Sequence, residues 1–328
     1  MAVWAAGASL ALTAGPFVGG ALIALVGWRS IFLVNLPIGI AGLWLTWRFA
    51  GETPRAPGRE IDLPGQITAI AALGFLAGAI IEGGSLGWEN PFVIAGFAAF
   101  AAFALLFVWR EVRVAQPMLP LSLFKHRMFA LASLVGLLVN VALYGLIFVL
   151  SLYFQQVNGL SAFETGLAFV PMMGVVLPVN LIAPRIAERI GAPTTIAAGA
   201  ILSAAGCLAA LGIEAGTKYL MICVQLIAMS SGLGLLVPPL TSTLLGSVEK
   251  SHSGIAAGVL NATRQTGSVV GVAFFGSLVS RSEIFMAGLH ESLMIAAGVL
   301  FVGAAAIWFG QPPATRSNDF AVPDRGQR

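Results

Sequence analysis

The stretch TAGPFVGG, residues 13–20, places a Gly-Pro pair and then two glycines inside an apolar segment. Glycine lowers helix stability, and proline removes one backbone donor and bends a helix. Small residues recur at every fourth position of this segment: Gly7, Ala11, Gly15 and Gly19. Such a face lets the backbone of a second helix come close, which is how helices pack inside membranes. The stretch therefore predicts a bent and tightly packed membrane helix.

The composition places the whole chain in a membrane. Of its 328 residues, 58% are hydrophobic and 9% are charged, and the mean hydropathy is +0.92. A soluble domain carries roughly 25% charged residues. Uncharged stretches such as 129–163 and 219–248 exceed the roughly 20 residues that cross a bilayer core of about 30 Å. The sequence therefore predicts an all-α polytopic membrane protein and excludes a soluble fold.

Ten apolar segments are predicted to span the membrane. Most of their connections are short and carry turn residues, such as Gly83-Gly84 and Asn158-Gly159. Two connections are longer and charged: 51–65, and 110–127, whose apolar residues between basic ends favour a segment lying in the membrane interface. The predicted spans lie near 3–26, 31–50, 64–82, 91–109, 129–155, 165–183, 194–213, 219–245, 254–279 and 291–310.

Lys and Arg fall mainly on one side of these spans. With an even number of spans both termini share a side, and the loops and tail on that side hold thirteen Lys and Arg. The opposite side holds three, Arg29, Lys218 and Arg281. Because basic residues are retained on the cytoplasmic side, both termini are predicted to be cytoplasmic. Membrane orientation accounts for the net charge of +3, which is no sign of nucleic-acid binding.

Several motifs of the sequence resemble those of one transporter family. GPFVGG (15–20) followed by GWRSIFLVNLPIG (27–39) is similar to the antiporter motif on the fifth helix, and to the start of the sixth, of drug:proton antiporters. The resemblance is to the fourteen-helix branch of the major facilitator superfamily. It assigns the antiporter motif to Gly15, Pro16, Gly19 and Gly20. Further matches follow in order: REVRVAQPMLPLSLF (110–124), SLYFQQVNGLSAFETGLAFVP (151–171), PRIAERIGAP (184–193) and GVLNATRQTGSVVGVA (258–273).

The resemblance implies a major-facilitator-type fold with an incomplete N-terminal bundle. In this family helices one to six form one bundle, two extra helices follow, and the last six helices form a second bundle. By this resemblance the chain begins at helix five and lacks the first four helices. The implied divisions are the last two helices of the N-terminal bundle (1–50), a charged linker with the two extra helices and an interfacial loop (51–128), the six-helix C-terminal bundle (129–311) and a polar cytoplasmic tail (312–328).

The resemblance also implies a function. The expected protein is a multi-pass transporter of the cell membrane that exports drugs or other small amphipathic molecules by alternating access, coupled to protons in the full-length parent. Its expected partners are a small-molecule substrate, protons and the lipid bilayer. We expect no cofactor, no metal, no catalytic residue, no nucleic acid and no obligate protein partner.

Two parts of this expected function have an alternative: the coupling to protons, and transport by the chain on its own. A coupling group inside a membrane is usually Asp or Glu, and none lies well inside a predicted span. The family places an acidic residue on helix one or nearby. The alternative is a truncated membrane protein without transport activity of its own, or one that needs a partner for the missing helices. An intramembrane enzyme has little support, because there is no HExxH motif and the three histidines lie near loops.

Polar and aromatic residues inside the spans are the predicted substrate-binding residues. Arg264 would lie near the middle of its span, where an ionisable residue is costly and marks a functional site. Its alternative role is to extend toward the cytoplasm or to pair with backbone carbonyls. Tyr144 and Phe148 would offer aromatic surface to an amphipathic or cationic substrate. The full predicted set is Asn140, Tyr144, Phe148, Gln155, Gln225, Asn261, Arg264 and Gln265; buried amides also serve as links between helices.

The segment PRIAERIGAP (184–193) is the predicted inner gate. The resemblance makes it a weaker relative of the family's cytoplasmic signature. Arg185, Glu188 and Arg189 could then form a charge relay there. The alternative is an ordinary basic loop on the cytoplasmic side.

Overall fold

The computed structural model describes residues 15, 17–49, 62–114, 117–249, 253–281 and 285–310, and these form helices with short connections. The last turn of α5, Tyr153–Val157, is π-helical, and the last turn of α7, Ala210–Gly212, is a 3₁₀-helix. A further 3₁₀-helix, Leu121–Lys125, lies between α4 and α5. The helices are α1 (Phe17–Val26), α2 (Ser30–Phe49), α3 (Leu63–Leu86), α4 (Pro91–Arg113), α5 (Arg127–Val157), α6 (Ala162–Ile190), α7 (Ala192–Gly212), α8 (Tyr219–Gly246), α9 (Ser253–Arg281) and α10 (Phe285–Phe309).

Eight of the described helices are long and apolar enough to cross a membrane, namely all except α1 and α9. For α1, ten residues are described as a continuous helix. Helix α9 is 29 residues long, but Asn261, Arg264 and Gln265 lower its hydropathy. The predicted all-α, polytopic architecture is confirmed, and each helix lies where the sequence predicted a span.

Local sequence signals explain where these helices begin. The Asp62 side chain accepts a hydrogen bond from the backbone N–H of Gly65 (3.0 Å) and caps α3, which carries Pro64 in its first turn. Asn90 caps α4 in the same way, just before Pro91. Acceptors at this position satisfy backbone donors that have no partner inside the helix. Between α6 and α7, Gly191 has φ +90°, a conformation that favours glycine.

Helices α5 to α10 enclose the main apolar core. Neighbouring helices approach closely at small residues: a Cβ added at Gly206 on α7 would lie 2.8 Å from the backbone nitrogen of Met229 on α8. At the same contact the Ser203 hydroxyl donates to the Met229 carbonyl (2.8 Å). Because lipid is as apolar as the side chains, such close packing and interhelical hydrogen bonds hold membrane helices together.

Helices α3 and α4 form a hairpin that lies against α9. Within it, the rings of Phe75 and Phe103 stack at 5.5 Å. A Cβ added at Gly84 on α3 would lie 2.7 Å from the Cβ of Ser277 on α9. In α2, by contrast, none of the residues Asn35–Phe49 is buried.

An ion pair joins the start of α3 to the end of α4. The Arg110 Nε donates to Asp62 Oδ1 at 2.8 Å, and the Asp62 side chain is only 5% exposed. The Gly65 amide, and after it the Arg110 guanidinium, hold the pKa of the Asp62 carboxyl below its usual range. The ionised carboxylate therefore stabilises the folded protein, and this contact links the two ends of the hairpin.

This ion pair predicts how the stability depends on pH. Asp62→Asn keeps a helix-capping side chain but removes the charge, so near neutral pH we expect a lower midpoint of thermal unfolding than in the wild type. The contribution of Asp62 is fully present above its unfolded-state pKa of about 3.9 and is lost as the pH falls through its lower folded-state pKa. Unfolding in detergent from pH 7 to pH 3 should therefore narrow the difference between the two midpoints, with most of the change below about pH 4. A constant difference between them would contradict this assignment.

Candidate functional site

Seven of the eight predicted substrate-binding residues lie on α5 and α9, two helices that pack along one seam. Small residues bring the two helices together at successive turns, and a side chain added at any of them would meet the facing helix. Phe275 fills the space beside Gly145, and the Val141 backbone fills the space beside Gly271. The four contacts along the seam are Asn140–Gly267, Val141–Gly271, Gly145–Phe275 and Phe148–Gly276.

On α5 the predicted residues differ in their accessibility. Asn140 is 9% exposed; its Nδ2 donates to the Gly136 carbonyl at 2.6 Å, and its Cβ faces Gly267. Tyr144 and Phe148 are half-buried. Gln155 is exposed in the π-helical turn, and its Nε2 donates to the Ser151 hydroxyl at 3.0 Å. A ligand beside this helix would therefore meet the two aromatic rings more readily than the Asn140 amide.

On α9 the predicted residues flank the seam. Arg264 is half-buried and lies eleven residues after Ser253, about 17 Å along the helix at 1.5 Å per residue. It lies one turn from Gly267, which contacts α5. Asn261 and Gln265 are exposed. Within the described residues Arg264 forms no ion pair, so its guanidinium keeps donors for a ligand, a lipid or water.

The structure places Gln225 apart from this seam. Its Nε2 donates to the Ala209 carbonyl of α7 at 3.0 Å. This contact fits the alternative role of a buried amide as a link between helices. Of the predicted residues, Asn140 and Phe148 contact the facing helix in the α5–α9 seam, and Gln225 lies at the interface of α7 and α8.

The antiporter motif lies partly within the described residues. A Cβ added at Gly20 would lie 2.8 Å from the Ala162 carbonyl oxygen, and the Phe17 and Phe163 rings are 5.7 Å apart. Helix α1 thus packs against the start of α6 through Gly20. Gly15 and Gly19 face open space, and Pro16, Gly7 and Ala11 lie outside the described residues.

The predicted gating residues end α6. Arg185, Glu188 and Arg189 are exposed. In the described ranges no ion pair joins them to each other or to another helix. The charge relay at this position therefore stays a prediction.

One buried acid was missed by the sequence analysis. Glu111, in the last turn of α4, is 3% exposed, and its Oε2 accepts a hydrogen bond from the Leu119 backbone N–H at 3.0 Å. Its Oε1 is buried and has no hydrogen-bond partner among the residues that the structure describes. Glu111 is the only acid between Trp109 and Met128, in a stretch that is otherwise basic and apolar. That isolation was the signal available in the sequence.

The set of groups along α5 and α9 defines what the seam can bind. Tyr144 and Phe148 offer ring faces to apolar or cationic parts of a molecule. The amides of Asn261 and Gln265 donate and accept hydrogen bonds, and Arg264 donates to carbonyl or anionic groups. Such a mixture suits an amphipathic molecule better than a simple ion.

Comparison with known proteins identifies the family. Residues 63–272 match the model of the Major Facilitator Superfamily. The chain is 36% identical over 310 residues to the methylenomycin A resistance protein of Bacillus subtilis, covering 93% of this chain and 66% of the relative. It is 35% identical to the methylenomycin A resistance protein of Streptomyces coelicolor, covering 94% of this chain and 65% of the relative.

A third relative is the multidrug resistance protein Stp of Mycobacterium tuberculosis. The identity is 36% over 278 residues, covering 85% of this chain and 52% of the relative. The chain thus spans between about half and two thirds of the length of these relatives. The family match and the eight long apolar helices together show that the chain is a multi-pass integral membrane protein. The chain belongs to the Major Facilitator Superfamily.

Proposed function

We propose that the chain carries the substrate pathway of an exporter of drugs or other small amphipathic molecules that works by alternating access. The observation that carries this proposal is the polar face of α9 around Arg264, near the middle of a membrane helix and one turn from Gly267, which contacts Asn140 of α5. An ionisable residue at such depth is costly unless it serves a site. The names of the relatives, which are resistance proteins for methylenomycin A and for multiple drugs, support the same function.

The same proposal includes the arrangement of the chain in the membrane. Residues 129–311 form the C-terminal bundle, 1–50 belong to the N-terminal bundle, and 51–128 supply the linker and the extra hairpin. Both termini face the cytoplasm of a cell membrane, on the side with thirteen Lys and Arg. The chain is part of a transporter and not an enzyme, and in the full-length parent the transport is coupled to protons. Arg185, Glu188 and Arg189 act at the inner gate.

Arg264→Ala tests the binding role of the seam. We expect the 328-residue chain to bind methylenomycin A about 10- to 100-fold more weakly after this change. That range corresponds to the loss of one hydrogen bond to a charged group, about 1.5–3 kcal/mol. Arg264→Lys should keep part of the affinity, because it keeps the charge. Binding of methylenomycin A is followed by calorimetry.

Arg48→Gln is the matched control, because Arg48 is an exposed cation on α2, away from the seam. Unchanged binding and transport in Arg264→Ala would overturn the role of Arg264. Binding without uptake into proteoliposomes would favour the alternative, in which the chain has no transport activity of its own. Thermal unfolding of each variant in detergent separates these outcomes from loss of the fold.

A further inference from the structure

The connection between α4 and α5 is fixed on the bundle. Glu111 at the end of α4 accepts the backbone N–H of Leu119, and Leu123 is buried in the core. The ring of Phe124 packs edge-on against that of Phe129, 5.2 Å away. Several independent contacts therefore hold residues 117–126, and the side chains that face outward from this segment form a preformed surface.

The charges on this surface have one sign. From Trp109 to Met128 the sequence holds four Lys and Arg and one acid, Glu111, which is buried. Arg110 is neutralised by Asp62 in the ion pair described above. The remaining three cations, Arg113, Lys125 and Arg127, are exposed. Arg127 donates to the Phe309 carbonyl (3.3 Å), but this neutral group leaves its charge uncompensated.

Apolar side chains lie among these cations. Trp109 is 52% exposed, and the Arg113 guanidinium lies 4.5 Å from the centre of its ring. Phe124 and Met118 are also exposed. Cations next to exposed aromatic and aliphatic groups, at the ends of membrane-spanning helices, match the boundary between lipid headgroups and acyl chains.

We propose that Arg113, Lys125 and Arg127, together with Trp109 and Phe124, form a binding surface for anionic phospholipid headgroups. The cations meet the phosphate, and the aromatic side chains meet the first methylene groups of the acyl chains. Basic residues near an anionic membrane surface contribute about 1 kcal/mol each, and basic sites at helix ends bind anionic headgroups. The buried position of Glu111 and the pairing of Asp62 favour this ligand, because neither carboxylate repels it.

The test compares two triple variants of equal net charge in lipid titrations. Arg113→Gln/Lys125→Gln/Arg127→Gln removes the three cations of the surface. The control Arg29→Gln/Arg48→Gln/Lys218→Gln removes three exposed cations elsewhere. The purified 328-residue chain is titrated in neutral detergent with short-chain phosphatidylglycerol or phosphatidylcholine. Binding is measured by native mass spectrometry and, across salt concentrations, by tryptophan fluorescence.

We expect the surface variant to bind phosphatidylglycerol on the order of a hundredfold more weakly at low salt, from three contributions of about 1 kcal/mol each. The control should bind like the wild type, and phosphatidylcholine should bind all three proteins weakly and equally. Increasing salt should reduce wild-type binding toward that of the surface variant. Equal loss of phosphatidylglycerol binding in both triple variants, or no loss in the surface variant, would overturn the proposal. Thermal unfolding confirms that both variants are folded.

Discussion

Gly271→Ala is expected to force α5 and α9 apart and to destabilise the protein by about 3 kcal/mol, at the upper end of the usual cost of overpacking. The added Cβ would lie 2.9 Å from the Cα and 3.0 Å from the carbonyl carbon of Val141. Both are backbone atoms of α5, so no side-chain rotation relieves the contact. We expect the midpoint of thermal unfolding in detergent to fall by several degrees. Substrate affinity should fall as well, because the same seam positions Asn140 and Arg264.

Gly258→Ala is the matched control, since Gly258 lies on the same helix and an added Cβ there has no atom within 4 Å. Replacing this glycine removes backbone freedom without a clash, so we expect a gain of up to about 1 kcal/mol. The two substitutions are chemically identical and are expected to have opposite signs. Equal effects on the unfolding midpoint would contradict the close approach of α5 and α9.

Glu111→Ala is expected to free the connection between α4 and α5. The carboxylate of Glu111 holds the Leu119 N–H, and hydrogen bonds to charged groups contribute about 1.5–3 kcal/mol. We therefore expect the Leu119 amide to exchange its hydrogen faster and the protein to lose about 2 kcal/mol of stability. Hydrogen exchange with mass spectrometry of the 117–126 peptide measures the first effect, and thermal unfolding measures the second.

Glu111→Gln separates the hydrogen bond from the charge. The amide oxygen of glutamine can still accept the Leu119 N–H, so the exchange rate should stay closer to that of the wild type. Glu291→Ala serves as control, because Glu291 is exposed. The 117–126 peptide could exchange as slowly in Glu111→Ala as in the wild type. That result would show that other contacts hold this connection.

The positions of the helices could be predicted from the sequence because bilayer thickness sets a minimum length for an apolar run. The caps at Asp62 and Asn90 were not predicted, although each precedes a proline in the first turn of its helix. The pairing of α5 with α9 was harder to predict, although Gly267 and Gly271 lie four residues apart. A small-residue face indicates close packing, but it does not specify the partner helix.

For the candidate site, the sequence predicted which residues share a face of one helix, but it did not predict the contacts between helices. Arg264 and its neighbours share a face because residues three and four apart do so in any helix. Helical spacing alone did not show that the Gln225 amide bonds to Ala209 on α7. The burial of Glu111 could not be predicted because it depends on residues 117–126 folding back over the end of α4. Chain folding of that kind leaves no periodic pattern.

The π-helical turn Tyr153–Val157 changes the phase of α5. Here the Asn158 N–H bonds to the Tyr153 carbonyl, five residues earlier, so this turn holds more residues than an α-helical turn. The side chains of this last turn are therefore rotated about the helix axis relative to those of a regular α-helix. In an alignment, a homologue whose helix is regular throughout would need a one-residue gap at this turn to keep Asn140 and Leu160 in register. The turn is thus a place at the end of α5 where the chain can gain or lose a single residue while the contacts of Asn140 and the earlier turns are kept.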